Sequence, residues 1–156
     1  MTTDSIVVRP ASREDLAAIL TIENESFADP WDASSFVATL ELSHMRVRVA
    51  EQGEGGEREL LGYVVAMLLG DEAEIADLAV ASAARRRGVG GFLLDHAMEE
   101  TRRAGASVLF LEVRESNVAA RALYESRAFS TVGRRRGYYR QPVEDALILK
   151  RDLAPT

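Results

Sequence analysis

A chain of 156 residues, 47% of them hydrophobic, has enough apolar mass for one domain with a real core and too little for two. It has no cysteine, which excludes disulfides, thiolate metal sites and a cysteine nucleophile, and its two histidines, His44 and His96, form no short metal motif. A net charge of −6 argues against a nucleic-acid binder, whose affinity comes largely from basic surface over phosphate.

The opening MTTDSIVVRP carries an acid where a secretory leader needs positive charge, and no apolar run approaches membrane-spanning length. The expectation is a cytoplasmic protein without a membrane partner. Ile6 to Arg9 reads as a short strand ended by Pro10. Ser12 reads as the N-cap of a helix with Leu16, Ile19, Leu20 and Ile22 on one side. FADPWD, 27 to 32, breaks that helix because Pro30 disfavours helical geometry at Asp29, and Asp32 can cap a second helix from Ala33 to about Leu42. Met45 to Ala50 alternates as a strand, and EQGEGGERE, 51 to 59, reads as a solvated glycine-rich hairpin loop.

Leu60 to Leu69 and Glu74 to Val80 read as two further strands. Gly90 to Gly105 reads as a helix with Leu93, Leu94, Ala97, Met98 and Thr101 on one face. Ser107 to Val113 is nearly all apolar, as in a central strand buried on both faces. Asn117 to Arg127 reads as a helix, and Phe129 to Tyr139 with Ala146 to Lys150 as a terminal strand pair. The order β-α-α-β-β-β-α-β-α-β-β predicts a mixed α/β sheet with helices on both faces.

RRRGVGG, 85 to 91, follows one of these strands and opens a helix. In that context the first backbone N–H groups of the helix can bind phosphate, and glycine lets an anion come close. On spacing alone a solvated basic turn is equally open. Walker A needs a lysine that is absent, a dinucleotide fingerprint needs glycine where Leu93 stands, and no G-x-S-x-G elbow occurs. Glu112 interrupts the apolar strand VLFLEVR, either as a partner for Arg114 or a neighbouring helix or as a functional acid.

Arg85-Arg86-Arg87-Gly88-Val89-Gly90 resembles the Q/R-x-x-G-x-G/A loop of the GNAT N-acetyltransferases. LEVRESNVAARALYESRAF, 111 to 129, resembles the LEVR-x-S-N…L-Y-x-x-x-G-F block of the RimI-like members. RRRGYYRQPVEDALIL, 134 to 149, is similar to their RR-x-YY…EDA ending, and IENESFADPW, 22 to 31, to their first-helix exit.

The resemblance implies a GNAT domain over residues 1–156, with a mostly antiparallel sheet and a central splayed parallel strand pair. It implies acetyl-CoA as acetyl donor and no metal. The acceptor it implies is a protein N-terminus, most specifically the N-terminal alanine of a small-subunit ribosomal protein, and the oligomeric state a monomer or weak dimer. Arg85, Arg86, Arg87, Gly88, Val89, Gly90 and Gly91 would hold the diphosphate, with Leu78, Ala79, Val80 and Asn117 along the rest of the coenzyme. The Val80 N–H would face the thioester oxygen. Glu112 would be the general base and Tyr124 the general acid, while Phe27, Trp31, Tyr138 and Tyr139 would flank the acceptor, whose first side chain would meet a small apolar pocket. A small amine or a lysine side chain as acceptor, and a non-catalytic coenzyme-binding module, remain the competing readings. One departure stands out: Ala128 occupies the glycine of Y-x-x-x-G-F, where a left-handed helix exit costs alanine on the order of 1 kcal/mol.

Overall fold

The structure, a computed structural model, describes residues 5–153, so the first four residues and the last three of the expected domain lie outside it. In chain order it contains β1 (Val7–Pro10), α1 (Leu16–Ser26), α2 (Ala33–Glu41), β2 (Met45–Gln52), β3 (Glu59–Leu69) and β4 (Glu72–Val80). There follow α3 (Val89–Arg103), β5 (Val108–Arg114), α4 (Val118–Ser126), β6 (Ser130–Tyr139) and β7 (Glu144–Asp152). Short 3-10 turns precede α1 at Arg13–Asp15 and follow β4 at Ser82–Ala84.

The strands form one seven-stranded sheet in the order β1-β2-β3-β4-β5-β7-β6. Every neighbouring pair is antiparallel except β4 with β5. Helices α3 and α4 cover one face, where Leu93 and Leu94 pack with Leu109, Leu111 and Val113. Helices α1 and α2 cover the other, where Ile19, Ile22 and Phe36 pack with Val49, Tyr63 and Val65. The expected mixed sheet with helices on both faces is what forms.

Local signals account for the helix boundaries. The Asp32 carboxylate caps α2 by accepting from the Ser35 N–H at 2.8 Å. Ser12 caps the 3-10 turn that leads into α1, in a capping box with Asp15. Its N–H donates to Asp15 at 2.8 Å across the 3-10 turn, and α1 begins only at Leu16.

Two expectations change. The 51–59 segment is shorter as a loop, because Glu51 and Gln52 extend β2 and Glu59 begins β3. Glu51 is buried and held by Arg9 (3.0 Å) and Arg58 (3.1 Å), so it is a structural acid within a charged stretch. The strand at 107–113 is not buried on both faces. Leu109, Leu111 and Val113 are buried while Val108, Phe110, Glu112 and Arg114 are only half-buried, because α1 and α2 pack over β2 to β4 and leave the other face of β5 partly open.

The expected splayed parallel pair forms, over an extent no sequence pattern shows. β4 pairs with β5 only from Glu72–Val108 to Ile75–Leu111. The register of β4 against β3 then jumps, Val65 facing Asp77 and Ala66 facing Ile75, so that Ala76 is the extra residue of a bulge. Past it, β4 continues with β3 to Val80 and β5 continues with β7 to Arg114. The two central strands separate there, and the sheet opens in its middle.

Ala128 does adopt the left-handed conformation, with φ +64. Its N–H donates to Glu125 at 3.0 Å and the Phe129 N–H donates to Tyr124 at 3.1 Å, which closes α4 in a Schellman motif. The turn is therefore kept at the expense of strain. Ala128→Gly should stabilise the fold by about 1 kcal/mol, less whatever glycine adds to the entropy of the unfolded chain. That corresponds to a rise of roughly 2–4 °C in Tm, read by calorimetry.

Candidate active site

Where β4 and β5 part, a cavity of about 620 Å³ opens. Its walls come from the end of α1, the 27–31 segment, the separated ends of β4 and β5, the first turn of α4 and the tip of the β6–β7 hairpin. Eight of the residues singled out in the sequence meet there: Glu112, Tyr124, Asn117, Leu78, Phe27, Trp31, Tyr138 and Tyr139.

The 27–31 rim is anchored from beneath. Phe27 leaves α1 in an extended conformation and stays partly exposed. The Trp31 ring packs on Phe36 at 5.2 Å between centroids, and Phe36 meets Tyr63 edge-on at 5.8 Å. The Trp31 N–H donates to the Glu23 carboxylate at 2.9 Å, and the Tyr63 hydroxyl donates to the other oxygen of the same group. Glu23 is 1% exposed. It continues the Leu16, Ile19, Leu20 stripe of α1, and an acid on an apolar stripe is the signal that could have flagged it.

Asp77 is the second acid missed in the sequence. It interrupts the alternating strand EIADLAV one residue past the bulge, and it is 8% exposed. Burial, then the Glu23 carboxyl within hydrogen-bond reach, push its carboxyl well above the usual range, so it keeps a proton near neutrality. Burial and then the Asp77 charge raise the Tyr63 phenol as well.

The opposite rim depends on Arg114. Its guanidinium donates to the carbonyls of Arg140 (2.7 Å) and Pro142 (3.0 Å), pairs with Glu144 (3.2 Å) and lies over the Tyr139 ring at 4.5 Å. Glu144 also accepts from the Ser116 N–H at 2.6 Å, and Asp145 accepts from the Gly137 N–H at 2.8 Å and from Arg134 at 2.9 Å. The acids of the EDA ending thus hold the hairpin tip in place. Tyr138 and Tyr139 stand edge to face at 5.2 Å. Burial, then Glu112, pushes the Tyr139 phenol up to about 12.

Glu112 sits on the open face of β5, its side chain 19% exposed. Its partner is neither Arg114 nor a helix but Arg135 of β6, at 2.9 Å. On the same strand Arg134 bridges Glu115 and Asp145 while Arg135 faces Glu112. Cross-strand register, absent from any sequence motif, brings this pair together. Tyr124 is buried against Phe129 at 5.9 Å, and burial, then Tyr139 and Asp77, raises its phenol beyond the ordinary tyrosine range. Asn117 accepts from the Ala120 N–H at 3.1 Å and so caps α4.

Ala79, Val80 and the loop from Arg85 to Gly91 stand outside the walls of this cavity. The Ala81 N–H donates to Leu61 at 2.8 Å. Strand peptides alternate in direction, so the Val80 N–H points away from β3 toward the opening. The Val80 carbonyl accepts from Arg85 Nε at 3.3 Å instead of from β3.

Gly88, at φ +81, precedes α3, and the first intrahelical bond runs from the Phe92 N–H to Gly88. The N–H groups of Val89, Gly90 and Gly91 have no acceptor within the helix, and space is open where a side chain of Gly88 would project. A side chain at Gly90 would press on Leu123 of α4 (3.3 Å) and Val80 of β4 (3.7 Å). This cradle fits a diphosphate beside the opening.

The model of the acetyltransferase (GNAT) family matches residues 16–129. The chain belongs to the GNAT acetyltransferase family. GNAT enzymes take their acetyl group from acetyl-CoA. The chain is 34% identical over 137 residues to the [ribosomal protein bS18]-alanine N-acetyltransferase of Escherichia coli, covering 86% of this chain and 89% of that one. It is 33% identical over 156 residues to the N-alpha-acetyltransferase RimI of Mycobacterium tuberculosis, covering 96% and 94%. A crystal structure of the E. coli ribosomal-protein-S18-alanine enzyme superposes with a TM-score of 0.86 at 30% identity, over 97% of this chain and 96% of that one. Among the described residues of this GNAT fold no His, Asp and Glu cluster could hold a metal, and no helix is long and apolar enough to cross a membrane.

Proposed function

We propose that the chain acetylates the α-amino group of a protein N-terminus in the cytoplasm, first of all an N-terminal alanine of a small-subunit ribosomal protein. The observation that carries this reading is the cavity itself. It lies between two aromatic rims and reaches the separated ends of β4 and β5, which suits an extended peptide entering amine first. Tyr138 and Tyr139 offer hydroxyls for a peptide backbone and rings for its side chains. The similarity to two N-terminal acetyltransferases supports the same acceptor class.

Acetyl-CoA, when bound, supplies an acetyl group activated as a thioester. In this reading the amides of Val89, Gly90 and Gly91 and the arginines of the loop hold its diphosphate. Leu78, Ala79, Val80 and Asn117 line the rest of the coenzyme, and the Val80 N–H donates to the carbonyl oxygen as negative charge develops there. Glu112 takes the proton of the incoming ammonium, directly or through water, which frees the nitrogen lone pair for the new N–C bond. As the C–S bond breaks, Tyr124 donates its proton to the sulfur. Its high proton affinity keeps the phenol loaded at neutral pH.

The deciding assay offers acetyl-CoA with three acceptors: a peptide starting with free alanine, the same peptide N-terminally blocked but carrying a lysine, and a set of small amines. Acetylation of the free N-terminus at the highest kcat/KM is expected. A blocked peptide or small amine that reacts as well overturns the proposal.

A further inference from the structure

Glu112 shares the open face of the sheet with a second acid and a cation that the mechanism above does not use. Glu74 on β4 faces Phe110 in the parallel pair and is half-buried. Side chains alternate along a strand, so Glu74, Phe110 and Glu112 project from one face. Arg135 reaches over from β6. Its Nε donates to Glu112 at 2.9 Å, and its guanidinium carbon lies 5.6 Å from the centre of the Tyr138 ring. Glu112 lines the cavity, whereas Glu74 and Arg135 stand outside its walls.

We infer that Arg135 and Glu74 are positioning residues for the general base and act on it in opposite directions. Arg135 aims the Glu112 carboxylate and stabilises its charge, while Glu74 opposes that charge from the neighbouring strand. The inference rests on the N-terminal acetyltransferase reading above, in which Glu112 takes a proton from the incoming ammonium.

Two carboxyl groups close together do not both ionise at ordinary cost, and a cation beside one of them decides which carries the charge. Burial, then the charge of Glu112, raises the Glu74 carboxyl, and Arg135 acts against that rise. The cation is paired with Glu112, the acid that faces the substrate. A general base must be ionised to accept a proton, yet must hold the proton once it has arrived. Arg135 meets the first need and Glu74 the second.

The other groups around Glu112 supply neither effect. From β7 it is faced by Ile148, which is apolar. Glu112, then burial, raises the Tyr138 phenol, and burial, then Glu112, raises that of Tyr139, so both stay neutral near pH 7. Arg114, on the same strand, turns its guanidinium to Glu144 and the hairpin tip. Glu23, Asp29, Asp77, Tyr124 and Arg140 complete the ionisable lining of the cavity. Among the described residues, Arg135 alone forms an ion pair with Glu112.

The test measures kcat/KM from about pH 4.5 to 9 for a peptide starting with alanine, at saturating acetyl-CoA. The proteins compared are wild type, Arg135→Gln, Arg135→Lys, Glu74→Gln and the double variant Arg135→Gln/Glu74→Gln. The acceptor amine titrates alike in every assay, so a displaced acid limb belongs to the enzyme. Without its cation Glu112 keeps a proton to higher pH, and Arg135→Gln should move the acid limb up by about one pH unit. Glu74→Gln removes the repulsion and should move it down by about half a unit. Arg135→Lys keeps the charge and should stay near wild type, and the double variant should fall between the two single ones. The Arg135 side chain is 54% exposed, so its loss should leave the fold intact. If Arg135→Gln nevertheless fails to fold, Glu74→Gln decides, a downward shift supporting the inference and no shift overturning it. An Arg135→Gln limb that coincides with wild type, whatever the rate, overturns it. So does a double variant that keeps the full Arg135→Gln shift. Each of these results leaves N-terminal acetylation standing. If the wild-type chain acetylates no peptide N-terminus, that reading and this inference fall together.

Discussion

Glu112→Gln should lower kcat/KM for a peptide acceptor by about 10²–10⁴-fold at pH 7, the range general-base catalysis contributes. The pH dependence carries the sign. A free α-amino group has a pKa near ~8, so below that value most of the acceptor arrives as an ammonium and needs a base. Above it the amine is already neutral, and the gap between wild type and variant should narrow steadily as pH rises. The substitution keeps the size of the side chain, and its ion pair with Arg135, half-exposed on that side, contributes little to stability. Donor binding and Tm should therefore stay near wild type. Parallel pH profiles for the two proteins would remove Glu112 from the proton transfer. The measurement is initial rate against pH from about 6 to 10 with saturating acetyl-CoA.

Tyr124→Phe should reduce kcat by about 10²–10³-fold, because a departing thiolate then lacks a positioned proton. The ring keeps its packing against Phe129, so the fold and the affinity for the donor should change little. A large loss in kcat with an unchanged dissociation constant for acetyl-CoA, measured by calorimetry, is the expected pattern. A kcat within twofold of wild type would show that protons reach the sulfur by another route. The two variants separate the ends of the reaction, since the Glu112 defect fades at high pH and the Tyr124 defect does not depend on the state of the amine.

Much of this was written in local sequence. The strand and helix order follows from apolar periodicity and from a few breakers and caps, such as Pro30 and Asp32, because these act within a turn or two of the chain. The loop from Arg85 to Gly91, Glu112, Tyr124 and the aromatic rims were legible as candidates because their motifs are contiguous, and the Ala128 strain because one residue type alone fills that position easily. The depth and partners of the site were not legible. The bulge at Ala76 and the separation of β4 from β5 depend on pairing register among β3, β4 and β5, the last two joined only through α3. The ion pair of Glu112 with Arg135 joins residues 23 apart, and the Glu23 to Tyr63 hydrogen bond joins residues 40 apart. A local pattern records whether a residue is apolar or polar, but the partner of a buried acid is set by which strands the chain closure brings side by side. For that reason the sequence alone determined the family resemblance, the order of elements and the candidate groups, whereas the tertiary structure decided which of them face one cavity and which acids its wall buries.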